Sequence, residues 1–297
     1  QQYRNFYFHY DRLADPAPFE KLRDLVENIY TNEFLGKVTT SWNAGLLKHE
    51  DWAAVLPLQR RFYDHFVRGA KDRIVVILSD ALRYEVGQEL FTRLQDDAKC
   101  SVRLQAMLGV LPSYTRLGMA ALLPHKLLEI DADGKVSVDG QSCDDLKQRE
   151  ALLKKAAPNS RCIRFDELKT MKKQELREVF TGMDVVYVYH NQIDARGDKP
   201  ETENEVFNAC AEAVEEIFQL IKRLSVNANT YHFLVTADHG FLYKRDKLQE
   251  SDKIGLASSK NAVLNRRFIL SEEPAAGDGI ASIRMNNSRA PSMNIGH

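Results

Sequence analysis

The feature that most constrains the fold is an unbroken apolar run at residues 74–78, which stops at Ser79 and Asp80. A mostly β-branched run of this kind predicts a strand buried on both faces, as in a parallel sheet. After it, apolar residues recur at every fourth position from 82 to 94, which predicts a helix with one stripe facing the sheet. Asp80 is therefore expected at the carboxyl end of a buried strand, where open α/β sheets place ligand sites, or as the N-cap of that helix.

The composition excludes several classes of protein. Of the 297 residues 44% are apolar, as in a globular protein, and 42 acidic residues nearly cancel 41 basic ones, so charge gives no global sign of nucleic-acid binding. The four cysteines show no CxxC spacing, which argues against a zinc ribbon or a disulfide framework and favours a reducing, cytoplasmic location. No apolar run approaches the roughly 20 residues that span a bilayer, so no membrane partner is expected.

The N-terminal residues 1–69 are predicted to form a helical, aromatic-rich linker or appendage of a larger protein, since the chain starts at Gln1 rather than Met. Apolar residues between positions 19 and 30 form a helical stripe, and a second helix is predicted over residues 56–67. The aromatic residues here could stack on bases, but at helical spacing they are expected in the core. Residues 70–270 are expected to form one α/β domain, and residues 271–297 an irregular or truncated tail.

The remaining chain alternates strand and helix patterns, which predicts βαβ units. Strands are predicted at residues 101–108, 162–165, 184–189, 231–235 and 266–270, a hairpin at 127–138 around Asp133-Gly134, and helices at 172–180 and 203–224. A further apolar helix follows Pro112-Ser113-Tyr114-Thr115. The expected architecture is therefore a mostly parallel central sheet flanked by helices.

Aspartates and histidines follow three of the predicted buried strands. They are Asp80 after the first strand, His190, Asp194 and Asp198 after the second, and Asp238 and His239 after the third. In a parallel sheet these ends share one edge, and Thr115 can lie there too, because it begins a helix after a fourth strand. Taken singly, each motif could be a turn, a helix cap or a loop histidine.

Several carboxylates in one crevice repel each other unless cations pair with them, and no cluster of Lys or Arg flanks these acids in the sequence. Divalent metals resolve the repulsion. Asp with His suits zinc, which is favoured, and oxygen-rich ligand sets suit manganese or magnesium. Two such ions about 3.5–4 Å apart would form a clamp for phosphoryl transfer.

In their order along the chain, these motifs resemble those of the alkaline phosphatase superfamily. The fuller match comprises Ser79-Asp80-Ala81-Leu82-Arg83-Tyr84-Glu85, Leu111-Pro112-Ser113-Tyr114-Thr115 and Tyr189-His190-Asn191-Gln192-Ile193-Asp194. It resembles the PglZ family, the phosphatase-like component of BREX bacteriophage-defence systems, over residues 70–270. The resemblance implies an alkaline-phosphatase-like α/β fold.

The resemblance also implies a role for each motif. Asp80, Asp238 and His239 would hold one divalent metal, Asp194 would bind a second, and Thr115 would be the nucleophile that bridges toward both.

The other ligands of the second metal stay open. Asp198 stands four residues after Asp194, where many relatives have His, and His190 is the alternative. Relatives also supply a late His within a His-Gly-Gly motif. This chain has no such motif, and His297 is its last histidine.

Together these features predict a metal-dependent phosphohydrolase, either a phosphatase or a phosphodiesterase, acting through a metal-bound Thr115 and a phosphoenzyme. Arg83 and Arg116 could hold phosphoryl oxygens, because a guanidinium matches their geometry, or could form ion pairs that support the fold. Glu85 is expected to be a structural partner. For a defence protein, nucleic acid or nucleotide phosphoesters are the expected substrates and other defence-system proteins the expected partners. The alternatives are a catalytically degenerate binding module in a multi-protein defence complex and a phosphomutase-like transferase.

Overall fold

The chain alternates strands and helices throughout its α/β part. A computed structural model describes residues 1–48, 54–131, 133–197, 205–245, 262–265 and 268–271. The strands are β1 (Ile74–Ser79), β2 (Leu128–Ile130), β3 (Val136–Val138), β4 (Gln141–Ser142), β5 (Ser160–Arg164), β6 (Val185–His190), β7 (His232–Thr236), β8 (Val263–Leu264) and β9 (Ile269–Leu270). The α-helices are α1 (Gln2–Tyr10), α2 (Glu20–Asn28), α3 (Lys37–Lys48), α4 (Tyr84–Gln95), α5 (Thr115–Ala121), α6 (Leu146–Ala156), α7 (Phe165–Thr170), α8 (Lys173–Phe180), α9 (Asp194–Gly197) and α10 (Val206–Asn227). Shorter 3₁₀ or π-helical segments are Ala17–Phe19, Ile29–Gly36, Gln59–Arg61 and Tyr63–Val67.

A sheet of four parallel strands organises the fold, in the spatial order β5-β6-β1-β7. β1 lies in its interior, and all six of its residues are buried. Ile74, Val76 and Leu78 join the apolar core on one face of the sheet, and Val75 and Ile77 join the core on the other. The unbroken apolar run therefore forms a strand covered on both faces, and the predicted α/β class is confirmed.

Helices cover both faces of this sheet. On one face the stripe Val86, Leu90 and Leu94 of α4 is buried in a core that α8 and α10 also line. On the other face lie α5, α6 and the antiparallel β2–β3 hairpin. The hairpin turns at Gly134, whose φ of +76° is readily adopted only by glycine, in agreement with the predicted turn.

Two predicted elements that precede α5 are wrong. Residues 101–108 form no strand, because among the described residues their backbone has a strand-like partner only where Leu108 bridges Leu58. Residues 56–67 form no continuous α-helix but the 3₁₀ turn Gln59–Arg61 and the π-helical segment Tyr63–Val67. The amide of Gln59 donates to the carbonyl of Leu108 at 2.9 Å, so a tertiary contact takes the place of a helical one.

The N-terminal helices bury only part of their apolar surface. Tyr3 and Tyr7 of α1 belong to the core that also contains Val75 and Ile77. The expectation that the aromatic residues of this segment lie in the core is only partly right, because Tyr30 packs against the core while Phe8 and Trp42 are exposed. In the stripe at positions 19–30, Val26 and Tyr30 pack against the core and the other four members are exposed. The exposed stripe continues beyond it and comprises Phe19, Leu22, Leu25, Ile29, Phe34, Val38 and Trp42.

The division of the chain at residues 69/70 and 270/271 stays a prediction. The late strand is present as β9, paired antiparallel with β8. Of the expected tail, only Ser271 lies within the described residues. No helix in the described ranges is long and apolar enough to cross a membrane.

Candidate active site

The ends of β1, β6 and β7 meet at one edge of the sheet. Ser79 pairs with His190 across β1 and β6, and Leu78 pairs with Thr236 across β1 and β7. The backbone amide of Asp80 donates to the carbonyl of His190 at 2.8 Å, which extends the pairing by one residue. The three acid-bearing segments thus leave the sheet side by side, as the parallel arrangement predicted.

Asp80 is not a helix cap. The chain turns sharply after it, since Ala81 has a left-handed φ of 62°, and α4 starts only at Tyr84 with Arg83 at its N-cap. Asp80 is 5% exposed, and its Oδ1 has no hydrogen-bond partner among the described residues. Burying a carboxylate oxygen without a hydrogen-bond donor costs free energy, and a cation bound at this site would offset that cost.

Three side chains of the described residues converge as a potential metal site. One ligand atom from each of Asp80, Asp194 and His239 lies within 4.8 Å of the other two. Two carboxylates and one imidazole form a donor set suited to zinc. In this geometry Asp194 stands with Asp80 and His239, whereas the family pattern would assign it to a second ion.

The ring of His239 is oriented by the backbone carbonyl of the next residue. Its Nδ1 lies 2.9 Å from the carbonyl oxygen of Gly240, which can only accept, so Nδ1 carries a proton. Nε2 then faces the site, 2.9 Å from Oγ1 of Thr115 and 3.4 Å from Oδ1 of Asp80. A hydrogen bond on one nitrogen that directs the other toward a metal is a common feature of histidine ligands.

Asp238 is the most buried acid of the group. Its Oδ1 accepts the amide of Ala81 at 3.1 Å, and its Oδ2 lies 3.5 Å from Nε2 of His239 without a hydrogen bond among the described residues. Burial and the neighbouring Asp80 carboxylate raise the pKa of Asp238. Burial alone would lower the pKa of His239, but the carboxylates of Asp80 and Asp238 raise it. Without a cation the cluster therefore retains protons, and a divalent ion would take their place.

Thr115 is the first residue of α5, and its hydroxyl reaches His239 because α5 presses against the loop after β7. Gly118 makes this approach feasible, since a Cβ at that position would lie 2.3 Å from the carbonyl oxygen of Asp238. The hydroxyl thereby stands beside the nitrogen that also neighbours Asp80 and Asp238.

His190 does not join the ligand group, which corrects its prediction as an alternative ligand. It is 2% exposed, with Nε2 donating to Oε2 of Glu216 at 3.1 Å and Nδ1 accepting from the hydroxyl of Ser79 at 2.9 Å. Both ring nitrogens of His190 therefore already have hydrogen-bond partners outside the group of potential metal ligands. Hydrogen bonds from His190 lower the pKa of Glu216 to about 2, with burial opposing and Lys169 reinforcing the effect.

The two arginines have partners that support the fold. The Arg83 guanidinium pairs with the carboxylate of Glu85 and lies 4.6 Å from the ring centre of Phe241. Arg116 is 54% exposed and lies 3.4 Å from Asp144. These contacts favour the ion-pairing interpretation of both residues, and they agree with a structural role for Glu85. Asp198 and His297 lie outside the described residues.

Two residues that the sequence did not single out shape the site. Gly118 could have been suspected, since a glycine within an apolar helix often marks a close approach of backbones. Gln59 gave no such signal, because it stands in a segment that reads as an ordinary helix.

Comparison with known proteins identifies the family. The model of the family described as the BREX system PglZ alkaline phosphatase-like domain matches residues 58–290. The chain belongs to the PglZ family. The matched range contains every candidate site residue except His297, and the resemblance inferred from the motifs is confirmed.

Two curated relatives support the assignment to the PglZ family. The chain is 40% identical over 290 residues to the alkaline phosphatase-like protein PglZ of Bacillus cereus (strain H3081.97), a match that covers 96% of the chain and 34% of the relative. It is 36% identical over 272 residues to the alkaline phosphatase-like protein BrxZ of Escherichia coli O9:H4 (strain HS), covering 87% of the chain and 31% of the relative. The chain thus spans about a third of the length of these PglZ relatives.

Proposed function

We propose that this PglZ domain is a metal-dependent phosphoric ester hydrolase that uses Thr115 as its nucleophile. The observation that carries the proposal is the 2.9 Å contact between Oγ1 of Thr115 and Nε2 of His239, beside Oδ1 of Asp80, which has no hydrogen-bond donor among the described residues. A hydroxyl held against a group of metal-binding side chains is the arrangement that nucleophilic phosphoryl transfer requires.

Asp80, Asp194 and His239 would hold one divalent cation, with zinc favoured by the imidazole and manganese or magnesium as alternatives. Asp238, whose Oδ2 lies 3.5 Å from Nε2 of His239, would join this group, and Asp198 would be a ligand of a second cation. When bound, such ions supply positive charge that stabilises a deprotonated hydroxyl and the developing charge on phosphoryl oxygens.

Each residue of the site would have its own role in the reaction. Thr115 loses its hydroxyl proton, Oγ1 forms a bond to phosphorus while the bond from phosphorus to the ester oxygen breaks, and the leaving oxygen takes up a proton in turn, so that an alcohol is released. Water then cleaves the phosphothreonine, which restores the hydroxyl and releases phosphate. The hydrogen bond from His239 Nδ1 to Gly240 keeps the ring in the orientation that faces Thr115.

The biological setting extends this proposal. The substrates would be phosphoesters of nucleic acid or nucleotides, and the partners would be other proteins of a BREX defence system, acting in the cytoplasm. The family description and the names of the two relatives support the defence role. The free state of all four cysteines supports a reducing compartment.

The direct test measures metal content together with turnover of p-nitrophenyl phosphate and bis-p-nitrophenyl phosphate. Thr115→Ala should abolish turnover while Thr92→Ala, at an exposed position on α4, should leave it unchanged. Turnover that survives in Thr115→Ala would remove Thr115 as the nucleophile. The ratio of the two substrate rates would separate a phosphatase from a phosphodiesterase.

A catalytically degenerate binding module is the second candidate. It is favoured by the gathering of one potential metal group, rather than two, within the described residues. It predicts binding of one metal equivalent or none, and no turnover of either substrate in a metal-loaded protein.

A further inference from the structure

Gln59 connects the two loops that carry the candidate site. It lies in the 3₁₀ turn Gln59–Arg61, between the N-terminal helices and β1, and is 2% exposed. Its side chain enters the space between the loop after β7 and the segment that leads to Thr115. A buried polar side chain in such a place must satisfy its hydrogen bonds with the protein itself.

Both polar atoms of the Gln59 side-chain amide form hydrogen bonds. Nε2 donates to the carbonyl oxygens of Ala237 and Asp238, at 3.0 and 2.6 Å. Oε1 accepts the backbone amide of Val110 at 2.9 Å. The backbone amide of Gln59 also donates to the carbonyl of Leu108 at 2.9 Å. One residue therefore joins the metal-binding loop to the segment five positions before the candidate nucleophile.

The carbonyl of Asp238 is held from two sides. Gln59 donates to it, while Gly118 of α5 approaches it so closely that a Cβ there would lie 2.3 Å away. The orientation of this peptide group sets the directions in which Asp238 and His239 project. Because the same amide also binds Val110, displacement of either loop would strain the other.

We propose that Gln59 is a positioning residue that keeps the loop of Asp238 and His239 in register with the segment leading to Thr115. This role rests on the proposed function, since it is the metal-dependent site that the two loops would assemble. Only a neutral amide suits the position: carboxylates lack the donors that the two carbonyls need, and ammonium groups lack the acceptor that Val110 needs.

The experiment compares wild type with Gln59→Met, which keeps the length of the side chain and loses its hydrogen bonds. The matched control is Gln105→Met, at an exposed position of the adjoining segment. Each protein is titrated with Co²⁺, and the d–d absorption spectrum and affinity are recorded alongside the unfolding midpoint. Amide hydrogen exchange is followed at Val110 and at residues 237–240.

In Gln59→Met we expect Co²⁺ affinity to fall by about 10- to 100-fold, as for other residues that orient metal ligands, with an altered d–d spectrum. Exchange should accelerate at Val110 and in residues 237–240 together, and the control should match wild type. A wild-type spectrum and affinity in Gln59→Met, with unchanged exchange at both places, would overturn the role of Gln59.

The same measurements separate this role from the proposed function. If wild type binds no Co²⁺, the metal proposal fails, and Gln59 is then judged by exchange alone: acceleration at both places supports it, and acceleration at neither overturns it. If Gln59→Met does not fold, the role of Gln59 is tested by hydrogen exchange in the wild-type protein alone. Co²⁺ must then slow exchange at Val110 as well as in residues 237–240, and an effect confined to residues 237–240 overturns the coupling.

Discussion

Thr115 Oγ1 and His239 Nε2 lie 2.9 Å apart, although the two residues are 124 positions apart in the sequence. The first residue of α5 and the loop after β7 are brought together because Gly118 lets the helix rest on the Asp238 carbonyl. The contact holds a hydroxyl at the side chains best suited to bind a cation, and the predictions below follow from this arrangement.

Thr115 should become covalently labelled during turnover. Quenching the reaction with acid, in the presence of a phosphate-labelled substrate, should leave label on the peptide that contains Thr115, because phosphothreonine survives acid. Thr115→Ala should lose the label and at least about 10³-fold in kcat, as expected when a nucleophile is removed. Label on any other peptide, with Thr115 unmodified, would assign the nucleophile elsewhere.

Asp238→Asn should stabilise the metal-free protein and weaken metal binding. The substitution keeps an oxygen for the amide of Ala81 but removes one of two facing buried carboxylates. Relief of this repulsion should raise the free energy of unfolding in EDTA by about 1–2 kcal/mol, measured with urea. Asp133→Asn, at an exposed turn position, is the control and should change neither quantity. Loss of stability in metal-free Asp238→Asn would contradict the electrostatic account.

Metal binding should release protons at neutral pH. Burial and Asp80 raise the pKa of Asp238, and the carboxylates raise the pKa of His239 against the effect of burial, so the metal-free cluster is partly protonated. Ligands must be unprotonated to bind, and affinity should therefore rise with pH through the neutral range. Calorimetric titrations in two buffers of different ionisation enthalpy should give a positive proton release. Affinity that is independent of pH would exclude protonated ligands.

Glu216 should contribute to the free energy of unfolding, and this contribution should be lost in acid. Hydrogen bonds from His190 and Lys169 lower its pKa to about 2 from a usual value of 4.5, against the effect of burial, with the Glu212 carboxylate also nearby. A lowered pKa means that the contribution is complete above about pH 4.5 and disappears as the pH falls toward about 2. Glu216→Gln should flatten the loss of stability in this window, whereas Glu178→Gln, at an exposed position, should not. Urea unfolding from pH 2 to 7 measures both.

Gly118→Ala should damage both stability and the site. The added Cβ would lie 2.3 Å from the Asp238 carbonyl oxygen, so α5 or the loop must move. Overpacking of this kind costs about 1–3 kcal/mol of unfolding free energy, and metal affinity should fall with it. Gly87→Ala in α4, where a Cβ would meet nothing within 4 Å, should instead gain about 0.5–1 kcal/mol. Equal effects of the two substitutions would show that close approach at Gly118 has no role.

Local sequence patterns were sufficient to predict much of this architecture. The buried run of β1, the strands β6 and β7 and the start of α5 at Thr115 all follow from periodicity and chain punctuation, which depend on nearby residues alone. The shared edge follows as well, since parallel pairing brings the carboxyl ends of the strands together.

Residues 101–108 show where local pattern fails. Their alternation is typical of a strand, but a strand needs a neighbour along its length, and within the described part of the chain only Leu108 has one. The same limit applies to the exposed stripe between Phe19 and Trp42: helical spacing indicates an apolar face and cannot tell what covers it.

The sequence by itself determined the fold class, the sheet edge and the acids, histidine and threonine that gather there, because the order of buried strands dictates which loops meet. Only the tertiary structure decided that His190 is engaged by Ser79 and Glu216, and that Asp194 stands with Asp80 and His239. It alone shows that Gln59 ties two distant loops together. Such choices depend on distances of a few ångström between residues far apart in the chain, and no local pattern encodes those distances.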